Sequence, residues 1–392
     1  MPQQKIEPRY IGIIAEWNPF HVGHATLLQT VKEIFPKANI ATVMSGNFVQ
    51  RGEPAIFDKH IRAKWAIKAG CDVALEIPVR CVLQSADAFA SFAARLADGI
   101  SCDALAFGTE SFTEDELLQC ARVMLSEEFP VRLKQKLKTG IPYSRAANLV
   151  IAECYPALSG GLSLPNNLLG IQYARAILQY RLPLRLIPIH RENNPALSAS
   201  SIRKEILAGH IPDTLSKNVQ DDISRLVSAG NITDYRRYED ACHLRSRLLD
   251  ENALSSSGLF SEGLEHKWKK ETNEKTYPEM LSAIKSKRYL TSRLRRIGAA
   301  LLLSNSTPSS FTATHPARYA RLLALRKSES ALLRLSKLPV VTSFAKALRT
   351  LSPEACSDLL SDARATDIAA WCRQNETQRE GGADYYVSPI IL

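Results

Sequence analysis

Through the first two hundred residues, short apolar runs alternate with stretches whose apolar positions recur every three or four residues. Tyr10 to Glu16 (YIGIIAE), Asn39 to Ser45 (NIATVMS), Asp72 to Ile77 (DVALEI), Ala104 to Gly108 (ALAFG) and Leu184 to Ile189 (LRLIPI) are short and almost continuously apolar, which predicts buried strands. Between them, His24 to Phe35, Asp58 to Ala69 and Ser85 to Ala97 have helical spacing, and Ser201 to Ala208 opens a further helix. Asp58 is suited to cap the second of these helices and Gly70 to end it. Strand and helix in alternation predict an α/β fold, a parallel sheet with helices on both faces. After about Gly209 the strand signals fade. Residues 213–253 and 277–350 read as Leu- and Arg-rich helices, so the expected organisation is an α/β domain over 1–215 and a mainly helical domain over 216–392.

Composition adds a class and charge adds a partner. Of 392 residues, 45% are hydrophobic and 23% charged, as in ordinary globular proteins. No apolar run approaches the roughly 20 residues that span a bilayer, and the first residues (MPQQKIEPRY) do not form a secretory signal, so no membrane contact and a cytoplasmic location are expected. The eight cysteines have neither Cys-x-x-Cys nor zinc spacing and read as small core or surface residues. The net charge is +10, yet Leu281 to Thr350 alone carries fourteen Lys and Arg against Glu329, a local +13 that leaves −3 for the remainder. Such concentration favours a polyanion-binding face over a merely solvated helical surface.

Ligands of parallel sheets bind beyond the carboxyl ends of strands, so chemistry is sought in the loops that follow them. The first strand runs into Glu16-Trp17-Asn18-Pro19-Phe20-His21-Val22-Gly23-His24, and a helix follows. A helix start offers free N–H groups and partial positive charge. Gly23 lets a flat ring or a phosphate approach the backbone. His21 and His24 lie about one turn apart, so both imidazoles can face one phosphate and donate hydrogen bonds to charge developing at the α-phosphate as pyrophosphate leaves. Two surface histidines would give the same local pattern; the position after the first strand, directly behind Asn-Pro-Phe, favours function. Zinc is a poor rival because no third ligand has a natural position. A second element, Leu197 to Arg203 (LSASSIR), precedes a helix after the last strand. The hydroxyls and free N–H groups of Ser198, Ser200 and Ser201 can hold phosphate oxygens, and Arg203 can neutralise pyrophosphate, although a Ser-rich helix cap looks similar.

These two elements resemble the His-x-Gly-His and Ile-Ser-Ser-Thr-x-x-Arg-like motifs of the nucleotidyltransferase superfamily, relatives of class I aminoacyl-tRNA synthetases. Met44 to Pro54 (MSGNFVQRGEP), Phe107-Gly108-Thr109-Glu110, Pro165 to Gly170 (PNNLLG), Ser292 to Arg296 (SRLRR) and the tail Tyr385 to Leu392 sharpen the likeness. Together they resemble the bacterial tRNA(Met) cytidine acetate ligases over nearly the whole chain, most specifically in the first 205 residues. The resemblance implies a Rossmann-like nucleotidyltransferase domain followed by a mostly α-helical one. It implies activation of acetate by ATP to acetyl-adenylate, then acetyl transfer to N4 of the wobble cytidine of elongator tRNA(Met). By position, Ile14 to Leu27 would form the ATP loop and helix, with Ile14, Ala15, Glu16, Asn18, Pro19, Phe20, Gly23 and Leu27 beside the two histidines. Gly108, one of Asn166 and Asn167, and Arg191 would contact the nucleotide, and Ser198 to Arg203 the phosphates. Of the two asparagines, one can cap the helix that follows while the other reaches ATP. Gly108 can let adenine or ribose lie against the backbone, or be a turn glycine.

The resemblance also gives the basic segment a role: Arg293, Arg295, Arg296, Arg318, Arg321, Arg326 and Lys327 would track tRNA phosphates, and Tyr289 or Tyr319 could stack on a base. Gln50 and Arg51 are candidates for acetate or the tRNA backbone. Mg²⁺ is expected with ATP, but no dedicated carboxylate cage is visible. One departure concerns Glu192 to Ala196 (ENNPA), where family members usually show Tyr-His-Asp. Two rival readings stay open: a small-molecule adenylyltransferase that never meets RNA, and a non-catalytic RNA-binding protein on a retired nucleotide fold.

Overall fold

Five strands that are apolar on both faces form the middle of the fold. The computed structural model describes residues 7–191, 198–304, 315–329 and 331–392. In it, β1 (Tyr10–Ala15), β2 (Asn39–Ser45), β3 (Val73–Ile77), β4 (Ala104–Thr109) and β5 (Arg185–His190) are parallel, in the order β3-β2-β1-β4-β5. The chain moves outward from β1 to β3 and then returns to the other side of β1 as β4. The strand order therefore reverses between β1 and β4, which opens a crevice at their carboxyl ends.

Helices α1 (Val22–Ile34), α2 (Lys59–Lys68), α3 (Ala86–Gly99), α4 (Tyr143–Cys154), α5 (Pro165–Tyr180) and α6 (Ala199–Leu207) surround this sheet. One face buries Val43, Leu75 and Leu105 with Leu96 of α3 and Tyr173 and Ile177 of α5. The other buries Ile11, Ile13, Ile40 and Ala106 with Leu28 and Val31 of α1, Trp65 of α2 and Ile202 and Ile206 of α6. Double coverage is why these strands read as unbroken apolar runs. The caps follow expectation: Asp58 accepts from the His60 amide, and Gly70 takes φ +120° just past the end of α2. Six of the eight free cysteines are buried, Cys356 is partly exposed and Cys154 exposed. No helix among the described residues is long and apolar enough to cross a membrane.

The second half, expected to be mainly helical, also contributes strands to the sheet. β6 (Ala320–Leu325) pairs antiparallel with β3, and β7 (Val340–Val341) and β8 (Ile390–Ile391) pair with β6, which completes an eight-stranded sheet. All six residues of β6 are buried. The run ARLLAL has helical propensity, but a slot beside β3 sealed from water decides its conformation. The sheet therefore runs across the 215/216 boundary and draws strands from both sides of it. The helical remainder, built around Trp268, Met280 and α7 (Thr291–Leu303), shares a core with Phe48 and Val79 of the first half.

Burial of β6 also removes part of the basic face. Arg321 is buried and pairs with Asp384 at 2.8 Å and Glu76 at 3.4 Å, while the fully buried Lys59 ammonium lies 3.0 Å from each of these carboxylates. Arg321 is thus a core ion, not an RNA contact. Tyr319 is fully buried with its hydroxyl donating to Asp362, so it cannot stack on a base. Arg318 pairs with Asp358 at 2.8 Å and Arg326 with Asp72 at 3.4 Å. Lys327 is exposed. Because one ammonium and one guanidinium balance two carboxylates, Lys59→Met leaves an uncompensated buried charge. The expected loss is about 3–5 kcal/mol of stability in urea unfolding; an unchanged midpoint would contradict the description of this cluster.

Candidate active site

β1 ends in a turn that aims two imidazoles. Trp17 takes φ 48°, a left-handed conformation unusual for a bulky residue, and is held by its indole N–H donating to Thr42 Oγ1 at 2.9 Å. A cis peptide joins Asn18 and Pro19. His21, in extended conformation, then caps α1. Its Nδ1 accepts from the Gly23 amide at 3.1 Å, and His24 Nδ1 accepts from the His21 amide at 3.3 Å. The two rings stack with centroids 3.7 Å apart. A Cβ on Gly23 would lie 3.1 Å from His21 Cε1, so the flat group that needs this glycine is the imidazole itself. Trp17 and Phe20 pack against the His24 ring, with centroids 4.7 and 5.6 Å away.

These contacts set the protonation. An Nδ1 that accepts an amide proton leaves the neutral ring with its proton on Nε2. Burial, assisted by the nearby Arg191 charge, lowers the His21 pKa to about 4. Burial, then His21, then Arg191, hold His24 well below its usual value. At neutral pH both rings are uncharged Nε2–H donors.

The crevice between β1 and β4 holds a cavity of about 220 Å³. Its described walls are Ile13, Ile14, Ala15, Glu16, Trp17 and Asn18 from β1 and its turn, His24 and Leu27 from α1, Phe107 and Gly108 from β4, Asn166, Leu169 and Tyr173 from α5, Arg191 after β5, and Ala199 of α6. Asn18 uses Oδ1 to accept from the Ile56 amide at 2.9 Å; its buried Nδ2, like the buried Tyr173 hydroxyl, has no partner among the described residues. Two buried donors beside this wall are thus unsatisfied among the described residues. A Cβ on Gly108 would lie 2.8 Å from Arg191 Cδ, so this glycine admits the arginine arm across β4. Glu16 is held through Oε1, which accepts from the Gln50 amide at 2.9 Å, and burial raises its pKa. Arg62, fully buried, donates to the carbonyls of Glu16, Ser45, Gly46 and Phe57 and ties the carboxyl ends of β1 and β2 together.

Of the sequence candidates, Ile14, Ala15, Glu16, Asn18, His24, Leu27, Gly108, Asn166 and Arg191 line this cavity, and others stand behind its wall. Phe20 and His21 pack against the His24 ring, and neither they nor Pro19 and Gly23 are on the described wall. Asn167 is a correction: fully buried, it accepts from Thr109 Oγ1 and the amides of Glu110 and Ser111, and donates to Ser111 Oγ and the Gly161 carbonyl. All its polar capacity is used in joining β4 to α5, and Asn166 alone of the pair reaches the cavity. Ser198 caps α6 by accepting from the Ser201 amide at 3.1 Å, and Ser198, Ser200 and Ser201 are not on the described wall. Arg203 donates to the Asn18 carbonyl at 2.7 Å and lies 3.9 Å from Glu53, so it braces the turn. The run Glu192 to Ala196 and Leu197 lie outside the described residues. Ile13, Phe107, Leu169 and Tyr173 on the wall were given no role by the sequence reading. Asn166, Leu169 and Tyr173 stand at i, i+3 and i+7, one face of a helix, which was the available signal.

The remaining basic candidates sit on α7. Arg293 lies over the Tyr289 ring at 5.4 Å and donates to Ser261 Oγ, Arg295 pairs with Glu53 at 3.1 Å, and Arg296 is half-buried.

A stacked imidazole pair at a helix start thus stands at a cavity at the reversal point of a parallel sheet, where such sheets bind their ligands. The family model described as HIGH Nucleotidyl Transferase matches residues 9–384, and the chain belongs to that family. Relatives named tRNA(Met) cytidine acetate ligase include those of Geobacillus sp. (strain WCH70), 32% identical over 85% of this chain and 88% of the relative, and Acetivibrio thermocellus, 30% identical over 98% and 100%. The crystal structure of Thermotoga maritima TmcAL bound with alpha-thio ATP superposes with a TM-score of 0.89, at 27% identity, covering 98% of this chain and 99% of that one.

Unfolded, His21 takes up its proton near pH 6.5; folded, near pH 4. Between these values the unfolded chain binds more protons, so stability falls as pH falls through the window, by roughly 3 kcal/mol in full. His21→Asn keeps a cap acceptor but does not titrate. Urea midpoints measured from pH 7 to 4.5 should fall less steeply in this variant than in wild type; equal slopes would contradict the assignment.

Proposed function

We propose that this chain activates acetate with ATP as acetyl-adenylate and acetylates N4 of the wobble cytidine of elongator tRNA(Met), in the cytoplasm. The observation that carries the chemistry is the pair of neutral Nε2–H imidazoles, His24 on the wall of the cavity and His21 stacked behind it. An acetate oxygen attacks the α-phosphorus, the bond to the β-phosphate breaks, and pyrophosphate leaves. Neutral donors suit this step, since they stabilise developing charge without an imidazolium competing for the entering carboxylate. The Asn18 amide, Asn166, the Tyr173 hydroxyl and Arg191 supply further polar contacts for the nucleotide. Arg203 acts through Asn18 as a positioning residue. In the second step the cytidine amine attacks the acetyl carbonyl carbon, AMP departs with the bridging oxygen, and the amine gives up a proton. The acetyl group is already activated, so proximity supplies most of what this step needs.

Mg²⁺ would arrive with ATP, bound by phosphate oxygens and water and easing charge repulsion at the phosphates. Among the described residues no group of three or more His, Cys, Asp and Glu is arranged to hold a resident ion. The acceptor rests on the names of the relatives, because burial of Arg321 and the ion pairs of Arg295, Arg318 and Arg326 weaken the argument from charge alone. An adenylyltransferase without an RNA substrate is the reading those ion pairs would favour.

Incubation with ATP, labelled acetate and total tRNA, followed by nucleoside analysis, should yield N4-acetylcytidine; label absent from tRNA would contradict the proposal. His24→Ala should lower acetate-dependent pyrophosphate release by about 10²–10³-fold, the usual effect of removing one preorganised donor, with an unchanged circular-dichroism spectrum. Turnover close to wild type would remove His24 from the mechanism.

A further inference from the structure

A second and larger cavity, of about 580 Å³, adjoins the nucleotide cavity and shares Asn166 and Leu169 with it. Its volume falls within the usual range for organic ligands. α4 supplies Tyr143, Ser144, Ala147, Asn148 and Ile151, and α5 supplies Leu168, Gln172 and Arg175. The loop after β2 closes it with Gln50 and Arg51, and the start of α3 with Ala86 and Asp87.

Three features of this cavity call for an occupant. Gln172 Oε1 is buried and has no hydrogen-bond partner among the described residues. Arg175 Nε is also buried and unpartnered, although the same guanidinium lies 4.0 Å from Asp87 through Nη1. Tyr143 leaves half of its surface exposed, an aromatic face at the cavity with nothing stacked on it among the described ring contacts. A carboxamide, a guanidinium and a free aromatic face on one cavity match a flat heterocycle that carries both an amine and a carbonyl. The surroundings are cationic: Arg51 and Arg175 are on the wall, and Arg296 of α7 is close enough to Asp87 to feel its charge. That is the environment of a base delivered on a phosphate backbone. Acetate is far too small to fill it.

We infer that this second cavity receives the acceptor base of the RNA, unstacked from its strand, with its exocyclic amine toward Gln172 and its carbonyl toward Arg175. The inference rests on the function proposed above. It deepens that function because the attacking amine must approach the acyl group held at the α-phosphate, and the two cavities meet at Asn166 and Leu169. Tyr143 gives the base a stacking surface, and Arg51 and Arg175 face its flanking phosphates.

The test uses the full chain and separates the two half-reactions. Gln172→Leu, which keeps volume but removes the amide, and Tyr143→Ala, at an exposed position, lie outside the nucleotide cavity. Each should lower acetyl transfer to total tRNA about 10- to 100-fold in kcat/KM, the effect of losing one base contact, while acetate-dependent ATP–pyrophosphate exchange stays at the wild-type level. As a location measurement independent of either variant, a tRNA(Met) transcript with 4-thiouridine at the acceptor position should photo-crosslink to peptides from 143–154 or 165–180. Wild-type acetyl transfer in both variants, loss of exchange together with transfer, or crosslinks confined to other segments would each overturn the cavity assignment. If the wild-type chain itself performs exchange but never acetylates tRNA, the proposed function fails instead.

Discussion

Two backbone amides at the start of α1 need acceptors, and two imidazoles supply them. The site depends on that constraint. The Gly23 and His21 amides bind the Nδ1 atoms of His21 and His24, which stacks the rings, places the protons on Nε2 and spends the helix start on its own histidines. Gly23 is required because the His21 ring curls back over it. Burial does the rest by keeping both rings neutral. A helix N-terminus that binds anions through bare amides would be a weaker match for the proposed step, in which charge moves from carboxylate to leaving pyrophosphate. Here the donors are side chains of fixed tautomer, held by packing against Trp17 and Phe20.

The second half of the chain is sewn into the first at several points. β6 lies beside β3, and the Lys59–Glu76–Asp384–Arg321 cluster crosses between them. The loop from Asn47 to Pro54 is pressed on α7: Gly52 takes φ +79°, and a Cβ there would lie 2.5 Å from the Arg296 amide nitrogen. Glu53 in that loop pairs with Arg295 of α7 and approaches Arg203, which in turn holds the Asn18 carbonyl. A chain of contacts thus runs from the basic helix to the turn that carries the imidazoles. Charge reversal at Arg295 would therefore disturb the nucleotide site as well as any RNA contact.

Much of this architecture was legible in the chain. The five parallel strands were visible because double burial makes each a short apolar run, and β2 falls where the pattern placed it, at Asn39–Ser45. The nucleotide turn was visible because His, Gly and His stand directly behind a strand. Other features depended on tertiary contacts that local patterns do not carry. ARLLAL reads as helix until a strand partner is present, and the arginines around it count as surface charge until their acids appear from positions 76, 358 and 384. The two asparagines of PNNLLG could not be told apart because adjacent residues of a helix point in different directions, one to the cavity and one to the amides after β4. Arg62 was hidden for a similar reason: a buried guanidinium among carbonyls has the same sequence signature as an arginine in water.

The central claim is that His21 and His24 act as uncharged Nε2–H donors. Nitrogen-15 NMR of the protein with labelled histidine measures this directly. The account predicts that both rings give the shifts of the neutral Nε2–H tautomer at pH 7, that neither becomes protonated as the pH is lowered to 5.5, and that their Nε2 signals move when a non-hydrolysable ATP analogue is added. Protonation of either ring near pH 6.5, or a proton found on Nδ1, would contradict it.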